Sequence, residues 1–219
     1  MSKTRLRRPE LKTALTGGEI NFAVAGRGKA KPARQVQITY AAVVALACSM
    51  AIASLVVAPG HSGLLGGALG LLMLAIAAAD ARAFIIPDNL TITAFGLALI
   101  NAANEGLGSM PEHIAVAALR GLLLALAFFA LRESYLRLRH RHGIGLGDVK
   151  LAAVAGAWLD WTLIPAAIAI AALAALIFYI ASQLVLRRPI CASAKLPFGL
   201  FFAPAIWFCW LLNAMFLES

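Results

Sequence analysis

Charged side chains are scarce in this sequence. Asp, Glu, Lys and Arg make up 13% of the 219 residues, whereas 62% of the residues are hydrophobic. Soluble domains carry roughly 25% charged residues, so this chain has about half the usual complement. Such a composition excludes a free soluble globule and indicates a membrane protein.

Cysteine is also rare, with three residues at Cys48, Cys191 and Cys209. They are widely spaced, odd in number and lie in or beside apolar segments. Neither a disulfide framework nor a paired-cysteine zinc module is encoded by this pattern. We therefore expect no metal ion and no cofactor.

Positive charge exceeds negative charge, with a formal net charge of +9. The basic residues cluster between apolar runs instead of covering a surface, so we do not expect a nucleic-acid partner. Residues 1–37 hold nine of them, together with Gly and Pro and little apolar periodicity. The pattern predicts two parts: a flexible basic tail on the cytoplasmic side (1–37) and a polytopic membrane domain (38–219).

Seven apolar runs follow the tail, and none alternates in the way that barrel strands do. Unbroken apolar segments satisfy their backbone hydrogen bonds in lipid only as helices. The expected fold is an all-α membrane bundle of about seven transmembrane or membrane-embedded helices. Six to eight are possible, because the third and fifth runs are too short to cross a hydrocarbon core of about 30 Å alone. The runs are Ile38–Val57, Gly63–Ala79, Leu90–Ala103, Ile114–Leu131, Val149–Leu159, Thr162–Leu186 and Pro197–Leu217.

The basic residues predict how these helices are oriented. With the tail inside, the tail and the inner connections hold eighteen of the nineteen Lys and Arg residues, and the outer connections hold none. Positively charged flanks stay on the cytoplasmic side. The exception, Arg120, lies inside the fourth run, and the sequence does not identify its partner.

Acidic residues at the edge of the apolar runs are the candidates for chemistry. Asp148 suits an N-cap of the fifth helix and Asp88 an N-cap of the third, since Asp is favoured at that position. Asp80 follows an apolar run at a helix C-terminus, where the macrodipole disfavours a negative charge. Its structural interpretation is an ion pair with Arg82 or Lys150.

Three motifs, in this order, resemble those of the type IV prepilin peptidases, a family of membrane aspartic proteases. The resemblance covers about Leu71 to Phe202. The motifs are Asp80 with Ile86-Pro87-Asp88, then Gly145-x-Gly147-Asp148-x-Lys150-Leu151, and finally Leu196-Pro197-Phe198-Gly199.

The resemblance implies that Asp80 and Asp148 form the catalytic pair of an endopeptidase. Its substrate would be a pilin-like precursor, whose short basic leader is cut off at the cytoplasmic face of the bacterial inner membrane. One carboxylate would activate water as general base while the other, protonated, acts as general acid. From the helix ends alone, we expect Asp148 to be the base and Asp80 the acid.

The resemblance also implies a set of supporting or substrate-binding residues. Gly145 and Gly147 would let an extended substrate approach the carboxylates. Lys150 would further favour a charged Asp148 if it lies nearer that acid, and the late motif would shape the wall of the groove. The set is Pro87, Asp88, Gly145, Gly147, Lys150, Pro197, Phe198 and Gly199.

The sequence also departs from the family pattern. Larger members carry paired Cys-x-x-Cys motifs that accompany N-methylation, and this chain has none, so methyltransferase activity is doubtful. It resembles the short, peptidase-only form that serves tight-adherence or Flp pili. Leu200 stands where many members have Pro, and we expect this change to leave the acids undisturbed.

Two other functions are compatible with intramembrane acids. One is a proton-coupled transporter, although the acids fall at helix ends and no interrupted helices are evident. The other is a catalytically silent membrane protein of pilus assembly. The basic run Arg132–His142, with His140 and His142, is expected to contact anionic lipid headgroups. The sequence specifies neither an oligomeric state nor which pilin is the substrate.

Overall fold

A computed structural model describes residues 33–105, 110–139, 144–186 and 197–216. Within these ranges the chain forms helices and no strands, which confirms the predicted all-α bundle. The N-terminal tail up to residue 32, His140, His142, Cys191 and Leu196 lie outside the described residues. The helices are α1 (Ala33–Val57), α2 (His61–Ala83), α3 (Asp88–Glu105), α4 (Met110–Arg139), α5 (Leu146–Trp158), α6 (Leu163–Leu186) and α7 (Phe198–Phe216).

Each predicted apolar run falls within or close to one of these helices, but the helices differ in their ability to cross a membrane. In the described part of the chain, α2, α4, α6 and α7 are long and apolar enough to do so. Helix α5 has 13 residues, which at about 1.5 Å per residue reach roughly 20 Å. The expectation that the fifth run is too short to span alone is therefore confirmed, and the chain is a membrane protein.

The chain divides into two compact units, Met1–Val44 and Ala45–Ser219, and the candidate site lies in the second. Short α5 is enclosed there by α3, α4 and α7. A helix that is apolar all round is expected to be buried in this way. The core is formed by large side chains of α2, α5 and α7, namely Leu69, Met73, Ile76, Leu151, Val154, Phe202 and Ile206.

Glycines bring α4 and α5 into backbone contact. A Cβ atom on Gly156 would lie 2.6 Å from the carbonyl oxygen of Arg120 and 2.9 Å from the Cα of Gly121. Small residues permit this close approach of membrane helices. Beyond the C-terminus of α5, Asp160 pairs with Arg120, whose side chain is only 13% exposed. Asp160 is thus the partner that the sequence left open.

Tryptophans fix α7 against its neighbours. The indole Nε1 of Trp207 donates a hydrogen bond to Ser54 Oγ at 3.0 Å, and Trp210 packs on Gly66 of α2. Trp158 of α5 donates to the Ala94 carbonyl of α3 at 3.1 Å and lies edge-on to Trp210. These contacts hold α7 antiparallel to α2, so that the start of α7 meets the end of α2.

Candidate active site

The end of α2 is shaped by an unusual backbone conformation at Phe84. This residue has φ 53° and ψ 30°, in the left-handed region, and its N–H donates to the Asp80 carbonyl at 2.9 Å. A left-handed conformation costs a residue with a side chain about 1 to 2 kcal/mol. The turn stops the helix, leaves Phe84 and Ile85 exposed and directs Ile86 into the core, where it is 6% exposed.

Asp80, in the last turn of α2, is buried and faces the start of α7. It is 6% exposed, and its Oδ2 accepts a hydrogen bond from the backbone N–H of Leu200 at 2.9 Å. A Cβ atom on Gly199 would lie 2.9 Å from the same oxygen. The ion pairs among the described residues do not include Asp80, because Lys150 contacts Asp88 instead. The structural interpretation of Asp80 as a partner of Arg82 or Lys150 is therefore wrong.

Asp148 lies in the first turn of α5, three residues after the N-cap. Gly145 occupies the N-cap position, and its N–H donates to Asp148 Oδ2 at 3.2 Å. The expectation that Asp148 is itself the N-cap is therefore wrong. Burial raises the pKa of the Asp148 carboxyl to about 6, while the Gly145 N–H opposes the rise and the charge of Asp80 adds to it.

The two carboxylates line the same cavity. Its volume is about 300 Å³, and it lies at the end of the bundle where α2 ends and α3, α5 and α7 begin. Two acids that are far apart in the sequence thus come together at one water-accessible end. The lining residues are Asp80, Phe84, Ile85, Ile86, Asp88, Gly145, Leu146, Gly147, Asp148 and Lys150.

Ile86 lies between the start of α5 and the start of α7. A Cβ on Gly147 would lie 3.0 Å from Ile86 Cβ, and a Cβ on Gly199 would lie 2.9 Å from Ile86 Cδ1. Gly147 and Gly199 therefore accommodate Ile86, whereas the sequence suggested that Gly147 opens the backbone to substrate and that Gly199 shapes the wall of the groove. Gly145 has an ordinary φ of −74° and contributes its N–H. Ile86 was quoted in the motif without a role, and its position before Pro87-Asp88 was the available signal.

Asp88 and Lys150 form an ion pair at the rim of this cavity, with side chains 63% and 45% exposed. Asp88 follows Pro87 and is the first residue of α3, so it lies at the helix start but one position after the N-cap that the sequence predicted. The pair also borders a second, mainly apolar groove of about 350 Å³, whose other lining residues are Thr91, Ile92, Phe95, Ala153 and Val154. The ion pair is shared by the polar cavity and the apolar groove.

The late motif contributes backbone atoms to the site. Pro197 precedes α7, and Phe198 packs on Phe202 with ring centroids 5.3 Å apart. Neither is among the residues that line the cavity, whereas Gly199 and Leu200 contact Asp80. The structure thus contradicts the expectation that the departure at Leu200 leaves the acids untouched.

Curated relatives of the chain are leader peptidases. The prepilin leader peptidase/N-methyltransferase of Escherichia coli K12 is 32% identical over 56% of this chain and 52% of its own length. The protein of the same name from Aeromonas hydrophila is 29% identical over 73% and 52%. The leader peptidase HopD of Escherichia coli is 34% identical over 58% and 78%. The chain spans about half the length of the first two relatives.

The comparison with protein families points the same way. The type IV leader peptidase family matches residues 67–180, which include Asp80, Asp148 and the segment between them. No solved structure matches the chain. The match covers slightly more than half of the 219 residues. It confirms the family that the three sequence motifs predicted. The chain therefore belongs to the type IV leader peptidase family.

Proposed function

We propose that this chain is a membrane aspartic endopeptidase that removes the short basic leader from type IV pilin-like precursors. The observation that carries the proposal is the cavity in which Asp80 and Asp148, 68 positions apart in the sequence, face the same space. The names of the curated relatives support the reaction class. We propose that Asp80 and Asp148 are the catalytic residues.

The reaction is a hydrolysis in which the two carboxyl groups share one proton. The ionised carboxylate removes a proton from a water molecule, whose oxygen attacks the scissile carbonyl, while the protonated carboxyl donates to the carbonyl oxygen. The base then gives its proton to the leaving amine, and the peptide bond breaks. The hydroxyl group formed from the carbonyl oxygen returns its proton to the other carboxylate, which restores the single-proton pair. Two like charges in one site favour this single-proton state, because their repulsion disfavours double ionisation.

The surroundings of the acids suit such a substrate. Asp80, Asp88 and Asp148 face the cavity with Lys150 as its one basic side chain among the described lining residues. This excess of negative charge attracts a basic leader. The adjoining groove, with Ile92 and Phe95, is the proposed site for the apolar segment that follows the leader. Shortening that apolar segment should weaken cleavage more than neutralising the leader does.

The proposed location is the bacterial inner membrane, with the N-terminus and the cavity on the cytoplasmic side. Eighteen of the nineteen basic residues fall in the tail, in the connections on the proposed cytoplasmic side or in the helix ends next to those connections, as positive flanks do. The membrane boundary on this side would lie at the ends of α2 and α4 and at the starts of α3, α5 and α7. Methyltransferase activity remains doubtful, because the three cysteines form no Cys-x-x-Cys pair.

Processing of a co-expressed precursor tests the proposal. Asp80→Asn and Asp148→Asn should each lose at least about a hundredfold in processing rate, because general acid–base catalysis contributes about 10² to 10⁴. Asp88→Asn should retain substantial processing, since its exposed ion pair contributes little. Glu133→Gln, which removes the surface partner of Arg137, is the control for a neutralised acid.

Precursor size on a gel and enzyme level in the membrane fraction are measured together. Normal processing by either Asp80→Asn or Asp148→Asn at wild-type enzyme level would overturn the catalytic roles of the two acids. Absence of processing by the wild-type chain would overturn the proposed function and leave the transporter and silent-assembly alternatives.

A further inference from the structure

The start of α7 presents backbone N–H groups to Asp80. Leu200 is the third residue of α7, and the N–H groups of the first turn of a helix have no partner within the helix. One of them, that of Leu200, donates to Asp80 Oδ2 at 2.9 Å. Gly199 makes this approach possible, because a Cβ there would lie 2.9 Å from the same oxygen.

An N–H donor and a helix N-terminus both favour an anion. A hydrogen bond donated to a carboxylate stabilises its ionised form, and a negative charge is stabilised at the positive end of the helix dipole. The helix-end argument made from sequence counted only α2, whose C-terminus disfavours a charge on Asp80. The N-terminus of α7 acts in the opposite direction and makes a direct hydrogen bond.

We propose that the Leu200 N–H is a positioning group that holds Asp80 as the carboxylate, so that Asp80 is the general base and Asp148 the proton-bearing acid. This assignment rests on the proposed peptidase function and reverses the one made from the helix ends. Asp148 suits the role of proton carrier because burial raises its pKa to about 6. Its backbone donor, Gly145, is also farther away, at 3.2 Å.

Among the described residues, no charged side chain supplies an alternative cation at the Asp80 oxygens. The described charged side chains of the cavity are Asp148 and Lys150 of α5 and Asp88 of α3. Lys150 is paired with Asp88, and described α7 carries no charged side chain. In the described part of the chain, the start of α7 is therefore the feature that favours a negative charge on Asp80.

Leu200→Pro removes the Leu200 N–H donor. Proline is tolerated in the first turn of a helix, where no N–H is needed for the helix itself. Its ring crowds the preceding residue, but Gly199 has no Cβ to clash with it. Leu200→Ala keeps the N–H and loses the side chain, so it is the matched control.

The two limbs of the pH profile of kcat/KM separate the possible assignments. Suppose that Asp80 is the charged acid when the pair holds one proton. Loss of its N–H donor then destabilises by the same amount this one-proton state and the state in which both acids are charged. The acidic limb then moves to higher pH by about one unit or more, and the alkaline limb stays in place. If Asp148 is the charged acid of the one-proton state instead, loss of the donor to Asp80 destabilises only the state in which both acids are charged. In that case the alkaline limb alone moves to higher pH.

A reciprocal variant tests the same reasoning from the other acid. Gly145→Pro removes the donor to Asp148, and the φ of −74° at Gly145 suits proline. If Asp80 is the base, Asp148 is charged only when both acids have lost their protons. Gly145→Pro should therefore move the alkaline limb to higher pH and leave the acidic limb unchanged.

The experiment uses the full chain in proteoliposomes with a precursor substrate. A shift of the acidic limb in Leu200→Pro but not in Leu200→Ala is the expected result. A shift of the alkaline limb alone, or two unshifted limbs, overturns the proposal while leaving the peptidase function intact. If Leu200→Pro does not fold, a backbone ester at position 200 removes the same N–H without a ring, and the same limbs decide. Failure of the proposed peptidase function would instead appear as an absence of processing by the wild-type chain.

Discussion

The contact between α4 and α5 leads to a quantitative prediction for Gly156→Ala. The added Cβ would lie 2.6 Å from the Arg120 carbonyl oxygen and 2.9 Å from Gly121 Cα. Favourable carbon contacts lie at about 3.5 to 4.0 Å, so the two helices must separate by about 0.5 to 1 Å. Both opposing atoms belong to the backbone and cannot rotate away as a side chain would.

The expected loss of stability has two opposing parts. Overpacking of this kind costs about 1 to 3 kcal/mol, whereas Gly→Ala within a helix gains about 0.5 to 1 kcal/mol. Gly156→Ala should therefore lower the free energy of unfolding by about 0.5 to 2 kcal/mol. Gly96→Ala in α3 makes the same change where no atom lies within 4 Å of the new Cβ, so it should stabilise the protein slightly.

Unfolding by denaturing detergent, followed in the same micelles for wild type and both variants, measures these free energies. The difference in unfolding free energy between the two variants gives the cost of the α4–α5 contact, because the gain in helix propensity is the same in both. Because α5 carries Asp148, Gly156→Ala should also slow precursor processing more than Gly96→Ala does. Equal stability of the two variants would refute the close packing of α4 on α5.

Three further predictions concern buried polar groups. Because burial raises the pKa of Asp148 to about 6 from 3.8, the native state binds this proton more tightly than the unfolded state, and stability falls as the pH rises through this range. Asp148→Asn should therefore be more stable than wild type by about 2 to 3 kcal/mol near pH 8 and similar to it below about pH 4. Thermal unfolding at the two pH values measures this difference, and an advantage of the variant that persists unchanged at low pH would contradict the prediction. Asp160→Asn leaves the Arg120 charge without its partner and should cost about 1 to 3 kcal/mol, and Arg120→Leu on that background should restore part of the loss in the same assay. Trp158→Phe removes the hydrogen bond to the Ala94 carbonyl and should cost about 0.5 to 1.5 kcal/mol, with no change in the pH dependence of processing.

Helices and their order could be predicted from the sequence because each apolar run is a local pattern. The short fifth run also predicted correctly that α5 does not span by itself. Both acids were placed at the same end of the bundle from the distribution of basic residues alone, and the structure brings Asp80 and Asp148 to one cavity. Local composition and charge were sufficient for these features.

The contacts that decide the chemistry could not be predicted, because they join distant parts of the chain. Arg120 meets Asp160, 40 positions away, and Leu200 meets Asp80, 120 positions away. The helix-end argument considered each acid on its own helix and therefore missed the N-terminus of α7. Ile86 likewise acquires its role only when the starts of α5 and α7 close around it.

The most direct test of the paired acids is the distance between their positions in the membrane. Cysteines replace Asp80 and Asp148 in a chain whose three native cysteines are changed to Ala, and a protease site is inserted between α4 and α5. A short thiol-specific cross-linker should hold the two fragments together on a gel after cutting. The matched pair of Asp80→Cys with Asp160→Cys, at the other end of α5, should fall apart. Failure of the first pair to cross-link, or equal cross-linking of both, would contradict a shared site for the two carboxyl groups.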